Sequence, residues 1–402
     1  MNLSKRINEM QSSPIRKLVP FAIEAKARGI KVYHLNIGQP DIKTPQAFFD
    51  AIHNYQNKVV SYALSPGDPT LIQAIRRFFE RDKIYFEQDD IVVTNGGSEA
   101  IMFAMQAICD TGDEVIIPEP FYTNYNSFLK ETGVKIVPIT TMATNGFHLP
   151  SSEKIEALIT SKTKAILFSN PGNPTGTVLT WDELERLKEI ALKYDIFLIS
   201  DEVYRKLVFD NEITYSLASL QGIENNAIII ESVSKRYSSC GARIGSIQSK
   251  NKELMHQIVK LAQARLSVST LDQVGATALY DLDDAYIDSI RLEYEKRRDI
   301  VLSELKEIPN IKFETPKGAF YIIVTLPVND AEDFVKWMLT DFEINKETVM
   351  LAPAEDFYAN KGLGKRQVRI AYVLESTQLK KAMIVFKKGI QKYMEKEKAT
   401  KI

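Results

Sequence analysis

Short apolar runs recur between residues 91 and 247, and longer amphipathic stretches separate several of them. Most of these runs are rich in β-branched residues, which is typical of strands that a sheet buries on both faces. They occupy residues 91–94, 114–117, 165–169, 196–200, 227–230 and 244–247. Strands that alternate with helices predict an α/β fold with a mostly parallel central sheet.

Two of the amphipathic stretches carry signals for the start of a helix. Residues 98–109 begin with Ser98, which we expect to act as the N-cap. Residues 181–194 follow Thr180, and Glu183 stands three residues after it, which is the pattern of a capping box. Both segments are therefore predicted to be helices that cross from one strand to the next.

The pattern changes after residue 283, where one long charged helical stretch covers residues 284–306. Strands predicted at residues 319–324 and 368–373 are each followed by a helix. We therefore expect three parts: residues 1–44 as an N-terminal arm with part of the small domain, residues 45–283 as a large domain, and residues 284–402 as a small α+β domain.

Charge and hydropathy exclude several classes of partner. The formal net charge is −1, so no overall attraction to nucleic acid or to acidic membranes is expected. No apolar run approaches the roughly 20 residues that a membrane-spanning helix needs. The polar N-terminus has no signal-peptide pattern, and we expect a cytoplasmic protein. Two cysteines and four scattered histidines predict neither a disulfide framework nor a metal site.

Ligands of open α/β sheets bind beyond the carboxyl ends of the strands, so the residues that follow each predicted strand are candidates for a site. Gly97 and Ser98 open a helix after the first run, which suits an anion but also a simple tight turn. Asn173 lies in a stiff segment with two Asn-Pro pairs, where it either offers an amide to a ligand or only makes a turn. Asp201, at the end of a buried run, is either a functional carboxylate or a structural one.

The run at residues 227–230 leads to Ser232, Ser234 and Lys235, and Arg243 follows eight residues after the lysine. A lysine among other cations has a lowered pKa, and its neutral amine can then bond a carbonyl carbon. The serine hydroxyls and the planar guanidinium of Arg243 can bind a phosphate. No glycine pattern typical of dinucleotide or nucleoside triphosphate sites is present.

Together these segments resemble the fold-type I pyridoxal-phosphate enzymes, specifically the class I and II aminotransferases, which are similar to aspartate aminotransferase. The resemblance is carried, in the order of the family, by residues 35–41 (Leu-Asn-Ile-Gly-Gln-Pro-Asp), 173–176 (Asn-Pro-Thr-Gly), 201–204 (Asp-Glu-Val-Tyr), 232–235 (Ser-Val-Ser-Lys) and 368–372 (Val-Arg-Ile-Ala-Tyr). It covers nearly the whole chain. One departure is Pro353-Ala354, where the family often has Pro-Gly, and this puts the geometry of that loop in doubt.

The resemblance implies pyridoxal 5′-phosphate as the cofactor of the large domain, whose sheet would have seven strands. Lys235 would bond the cofactor and move the proton at the substrate Cα, and Asp201 would pair with the pyridine nitrogen. The phenolic oxygen would accept hydrogen bonds from Asn173 and Tyr204, and Tyr122 would stack on the ring, although the adjacent Phe121 is an alternative. The residues implied to hold the phosphate are Gly97, Ser98, Ser232, Ser234 and Arg243.

The same resemblance implies how the substrate binds and how two subunits assemble. Arg369 would bind the α-carboxylate of the substrate, helped by Gly38 and Asn173. Tyr62 resembles the tyrosine that reaches the phosphate from the neighbouring subunit, so a homodimer is expected. These roles require no metal.

The expected reaction is reversible transfer of an amino group between an L-amino acid and a 2-oxo acid. We favour aspartate and 2-oxoglutarate, although an aromatic or broad-range specificity is open. A β-eliminating carbon–sulfur lyase would share Lys235, Asp201 and Arg369, so these residues do not separate the two activities. A regulator that uses this fold as a ligand sensor is less well supported. Arg265 is a candidate for a distal substrate carboxylate, and a surface position on a helix is equally open.

Overall fold

The computed structural model describes residues 1, 3–11 and 13–399. Its helices are α1 (Lys5–Asn8), α2 (Val19–Ala27), α3 (Gln46–His53), α4 (Pro69–Glu80), α5 (Gly96–Ile108), α6 (Asn124–Thr132), α7 (Ser152–Glu156), α8 (Trp181–Tyr194), α9 (Lys252–Arg265), α10 (Thr270–Tyr280), α11 (Asp284–Lys306), α12 (Ala331–Thr340) and α13 (Ser376–Ala399). Its strands are β1 (Lys31–His34), β2 (Ile91–Asn95), β3 (Glu114–Glu119), β4 (Lys135–Thr140), β5 (Thr163–Ser169), β6 (Phe197–Asp201), β7 (Ala227–Ser232), β8 (Ile244–Gln248), β9 (Lys312–Phe313), β10 (Tyr321–Thr325), β11 (Glu347–Met350), β12 (Ala352–Pro353) and β13 (Gln367–Ala371).

The central sheet has seven strands in the order β2-β8-β7-β6-β5-β3-β4. Strand β8 runs antiparallel to both β2 and β7, and the other neighbours are parallel. The predicted α/β class and the mostly parallel sheet are confirmed. Each of the six predicted runs forms a strand, and β4 is an additional strand at the edge of the sheet.

Successive residues of the central strands pack on opposite faces of the sheet. Ile166 and Leu198 belong to one buried apolar cluster, whereas Leu167 and Ile199 belong to another. Helices cover both faces, so the two clusters form the two inner layers of a three-layer domain. Burial on both faces explains why these strands have continuous apolar sequences.

The two predicted helix starts have different outcomes. The Thr180–Glu183 capping box is confirmed at the start of α8. The prediction of Ser98 as an N-cap is wrong, because α5 begins at Gly96 with Asn95 at the N-cap position. Ser98 therefore lies within the first helical turn, close to the free N–H groups of the helix end.

A second, smaller sheet follows the long helix α11 in the order β12-β13-β10-β9, with antiparallel pairs throughout. The N-terminal β1 pairs with β11 in parallel. Residues 31–34 therefore join a strand from the C-terminal part of the chain. No helix within the described residues has both the length and the apolar character needed to cross a membrane.

Candidate active site

A cleft with a volume of about 140 Å³ lies at the carboxyl ends of β5, β6 and β7. The residues that line it include ten of those expected from the sequence: Gly97, Ser98, Tyr122, Asn173, Asp201, Tyr204, Ser232, Ser234, Lys235 and Arg243. Ile101, Val203, Cys240 and Tyr321 complete its lining. Side chains that are distant in sequence therefore share one solvent-accessible space.

Lys235 lies just beyond the end of β7 and is half-buried. The hydroxyls of Ser232 and Ser234 are 2.7 Å apart, and the backbone N–H of Ser234 donates to Ser232 Oγ, which fixes the turn before the lysine. Lys235 Nζ donates to the carbonyl oxygen of Gly38 at 2.9 Å. Within the described residues no carboxylate forms an ion pair with this amine, so it is available to react with a ligand carbonyl.

Asp201 is a buried carboxylate at the last position of β6. Tyr125 donates its hydroxyl proton to Asp201 Oδ2 at 2.7 Å, and the Val203 N–H donates to Oδ1 at 3.4 Å. Burial raises the pKa of Asp201 to about 6, and these two hydrogen bonds oppose the shift. A cationic ligand group beside Asp201 would remove the cost of burying its charge.

One end of the cleft presents donors suited to an anion. Gly96 has φ +72°, and a Cβ at this position would lie 2.2 Å from Arg243 Nη2, so the start of α5 and the guanidinium meet closely only because the residue is glycine. Arg243 is exposed and donates to the carbonyl oxygens of Cys240 and Asn95. The free N–H groups of α5, the serine hydroxyls and this cation form a phosphate-binding set.

Arg369 lies behind the opposite end of the cleft and is 1% exposed. Its Nη1 donates to Asn173 Oδ1 at 3.1 Å and its Nη2 to the carbonyl oxygen of Asn36 at 2.6 Å, whereas Nε has no hydrogen-bond partner among the described residues. Burial lowers the pKa of Arg369, and nearby tyrosines oppose this effect. No carboxylate of the described chain pairs with this buried guanidinium, which suits it to bind one from a ligand.

Of the two adjacent aromatic residues expected as ring partners, Tyr122 lines the cleft. Its hydroxyl accepts a hydrogen bond from Asn124 Nδ2 at 2.8 Å, and burial raises its pKa to about 12. Phe121 lines a neighbouring cavity and stacks on Tyr125 with 6.3 Å between the ring centroids. Tyr122 therefore has access to a ligand in the cleft.

Two candidate residues, Tyr62 and Arg265, do not line the cleft. Tyr62 is 81% exposed and lies between α3 and α4, outside regular secondary structure. Arg265 donates to the carbonyl oxygens of Ser65 and Val93, both at 3.2 Å. Its guanidinium thus contacts the backbone of its own chain, and its Nη1 lies 3.8 Å from Glu99 Oε2.

Two tyrosines of the site were missed in the sequence analysis. Tyr125 holds Asp201, although it belongs to the segment examined for Tyr122. Tyr321 lines the cleft, and its hydroxyl is 2.9 Å from that of Tyr204. The adjacent aromatic pair at residues 320–321, directly after Gly318 and Ala319, was the only local signal for Tyr321.

The sequence is similar to known aminotransferases over nearly its whole length. Residues 30–385 match the family model described as aminotransferase class I and II. The chain is 32% identical over 404 residues to the aspartate aminotransferase of Bacillus subtilis (strain 168), covering 98% of this chain and all of that relative. It is 30% identical over 395 residues to the probable aspartate/prephenate aminotransferase of Aquifex aeolicus, covering 97% and 98% of the two chains.

Solved structures have the same architecture. An alanine aminotransferase from Pyrococcus furiosus superposes with a TM-score of 0.89 and 29% identity, covering 97% of this chain and 100% of that one. The aspartate aminotransferase of Thermus thermophilus with maleate superposes with a TM-score of 0.87 and 28% identity over the same shares of the two chains.

Proposed function

The chain belongs to the class I and II aminotransferase family, and from this premise we propose that it transfers an amino group from L-aspartate to a 2-oxo acid such as 2-oxoglutarate. It is a pyridoxal-phosphate-dependent aminotransferase. Three groups at one cleft carry the proposal. They are the amine of Lys235, the buried carboxylate of Asp201 and the buried guanidinium of Arg369. Among the described residues, neither the amine nor the guanidinium has a carboxylate partner.

The donor set in the cleft fits the cofactor. Asp201 is a buried acid, and a ring nitrogen that carries a proton would stabilise its charge. The other end offers the start of α5, the hydroxyls of Ser232 and Ser234, and Arg243. We propose that Gly97, Ser98, Ser232, Ser234 and Arg243 hold the phosphate, and that Asn173 and Tyr204 hydrogen-bond the phenolic oxygen while Tyr122 packs on the ring.

When bound, pyridoxal phosphate supplies a carbonyl carbon that bonds amines and a ring that withdraws electrons from the bonded substrate. Lys235 Nζ would take the proton from the substrate Cα as general base and would deliver it, as general acid, to the cofactor carbon. Asp201 holds a proton on the ring nitrogen through its negative charge. Arg369 and Asn173 orient the α-carboxylate, so that the Cα–H bond faces the lysine.

The donor proposal follows the names of the relatives, since aspartate is named in both sequence relatives and maleate, in the Thermus structure, is a dicarboxylate. A second substrate carboxylate needs a second cation, and Arg265 is turned toward Ser65 and Val93 in its own subunit. Alanine is the alternative donor, supported by the Pyrococcus neighbour. Comparison of kcat/KM for aspartate, alanine and an aromatic amino acid in wild type and in Arg265→Met tests the specificity.

We also propose a homodimer in which Tyr62 reaches the phosphate of the neighbouring subunit. The support is a run of exposed apolar side chains in the same segment, Val59, Val60, Tyr62 and Leu64. Contiguous exposed apolar surface is typical of an interface. We also propose three parts of the chain, at residues 1–44, 45–283 and 284–402. The first boundary is supported by β1, which pairs with β11 of the C-terminal part, and the second by α11, which begins at Asp284. A cytoplasmic location stays a prediction.

The reaction class is tested by one turnover without an oxo acid. A transaminase leaves the cofactor as the pyridoxamine form, whereas a carbon–sulfur lyase regenerates the starting form and releases pyruvate and ammonia. Borohydride reduction followed by peptide mapping identifies the lysine that holds the cofactor. Labelling of a lysine other than Lys235 would refute the assignment of the site.

A further inference from the structure

Tyr321, the first residue of β10, lines the cleft, contacts Tyr204 and Arg369, and is 2% exposed. Its hydroxyl lies 2.9 Å from the Tyr204 hydroxyl, and its ring centroid lies 4.4 Å from the Arg369 guanidinium carbon. The strand that carries it belongs to the small sheet, whereas Tyr204 follows β6 of the central sheet. One side chain thus connects the groups proposed to bind the cofactor and the substrate carboxylate.

The direction of the hydrogen bond between the two tyrosines follows from the number of protons. Each phenol has one proton to donate. If Tyr204 donates its proton to a ligand in the cleft, the proton between the two hydroxyls must come from Tyr321. A hydroxyl that accepts a hydrogen bond becomes a stronger donor in its own bond, because the chain of bonds is cooperative. Burial raises the pKa of Tyr204, so this hydroxyl keeps its proton.

The ring of Tyr321 has a separate effect on Arg369. The guanidinium carbon lies 4.4 Å from the ring centroid of Tyr321 and 5.0 Å from that of Phe357. These two aromatic rings stabilise a cation that has no carboxylate partner among the described residues. They also leave the guanidinium in a fixed orientation, which is what bidentate binding of a carboxylate requires.

The hydroxyl of Tyr321 is closely fitted to the backbone of the N-terminal segment. A Cβ at Gly38 would lie 1.7 Å from Tyr321 Oη, so the hydroxyl occupies the space beside this glycine. The carbonyl oxygen of Gly38 accepts the hydrogen bond from Lys235 Nζ. The tyrosine hydroxyl therefore lies at the junction of Gly38, Tyr204 and the cleft.

We propose that Tyr321 is a positioning residue with two separable parts: its hydroxyl strengthens Tyr204 as a donor to the phenolic oxygen of the cofactor, and its ring holds Arg369 for the substrate carboxylate. This inference rests on the proposed function of the cleft. A hydrogen bond to the phenolic oxygen draws charge from the neighbouring lysine–cofactor linkage and lowers the pKa of the linkage nitrogen. The absorbance of the bound cofactor reports that pKa without turnover.

The test uses the cofactor-loaded protein with Tyr321→Phe, which keeps the ring, and Tyr321→Leu, which removes both parts. The control is Tyr372→Phe, because Tyr372 is also fully buried and its hydroxyl has no hydrogen-bond partner in the structure. For Tyr321→Phe we expect the linkage pKa to rise by about half a unit and KM for the amino acid to change by less than about twofold. For Tyr321→Leu we expect the same rise in pKa and a KM about tenfold higher.

A linkage pKa in Tyr321→Phe equal to that of wild type and Tyr372→Phe would overturn the role of the hydroxyl. An unchanged KM in Tyr321→Leu would overturn the role of the ring. Failure of the proposed function has a different signature, since wild type would then bind the cofactor away from Lys235 or fail to transaminate. Thermal unfolding of each variant checks that the fold is retained.

Discussion

The hydroxyl of Tyr125 donates a hydrogen bond to Asp201 Oδ2 at 2.7 Å inside the protein, with both side chains buried. This bond lowers the pKa of Asp201, whereas burial raises it to about 6. Tyr125 therefore helps to keep the carboxylate ionised near neutral pH. Its position in the first part of α6 also places it beside Tyr122, with 5.5 Å between the ring centroids.

Tyr125→Phe should impair catalysis mainly at low pH. Without this hydrogen bond the pKa of Asp201 rises, so a larger fraction of the carboxyl is protonated and cannot hold a proton on the ring nitrogen. We expect kcat at pH 7 to fall about tenfold, equivalent to about 1.4 kcal/mol, and the acidic limb of the pH–rate profile to move to higher pH. Tyr280→Phe, which removes another buried hydroxyl, is the control. An acidic limb at the wild-type pH would show that Tyr125 does not act through Asp201.

Asp201→Asn should stabilise the cofactor-free protein above pH 6. The folded-state pKa of about 6 exceeds the ordinary value of 3.8, so the folded protein binds the proton more tightly than the unfolded chain. The wild-type free energy of unfolding should therefore decrease as pH rises from about 4 to about 6 and lose at most about 3 kcal/mol. The asparagine variant lacks this loss, and its advantage should disappear below pH 4.

Urea unfolding of both apoproteins between pH 4 and pH 8 measures this difference. Asp50→Asn, at an exposed position on α3, is the control for a change of net charge. Loading with cofactor should reverse the order of stability at pH 8, because the protonated ring nitrogen offsets the charge of Asp201. An apoprotein variant that is less stable than wild type at pH 8 would contradict the expected burial cost.

Arg369→Lys should separate substrate binding from cofactor binding. Lysine keeps the positive charge but lacks the planar fork and the stacking between Tyr321 and Phe357. We expect KM for the amino acid to rise about 100-fold, equivalent to about 2.7 kcal/mol, while the absorbance of the bound cofactor is retained. Arg366→Lys, on an exposed residue near the same strand, should behave as wild type. A normal KM for Arg369→Lys would remove Arg369 from the substrate site.

The features that the sequence predicted are those with local or periodic signals. The capping box of Thr180 and Glu183 lies within four consecutive residues, and the buried strands have apolar runs of their own. The edge strand β4 escaped prediction because it is only partly buried and contains Pro138, which is typical of an edge position. Tyr125 and Tyr321 escaped because their partners are 76 and 117 residues away in the chain, so only the fold brings them together.

The segment around Tyr62 is exposed, but hydrogen bonds hold its backbone in place. Thr270 Oγ1 donates to the carbonyl oxygen of Ser61, and Arg265 donates to that of Ser65, so the segment is fixed to α9 and α10 of its own subunit. Tyr62 nevertheless projects outward with 81% of its surface exposed. A fixed backbone with an outward aromatic side chain suits a residue that is buried by a second copy of the chain.

Mixing two inactive variants should restore activity if Tyr62 serves the neighbouring site. Lys235→Ala removes the amine, and a Tyr62 variant such as Tyr62→Ala weakens phosphate binding. In a hybrid dimer, a tyrosine that acts across the two-fold axis leaves one site with both defects and one site with neither. At equal mixing with random exchange, about half of the dimers are hybrids, so about a quarter of the wild-type specific activity should return at low cofactor concentration.

A tyrosine that acts within its own subunit leaves every site with one defect, and the mixture would then be no more active than its parents. Separate affinity tags on the two variants confirm that hybrids have formed, and parental activity in purified hybrids would refute a shared site.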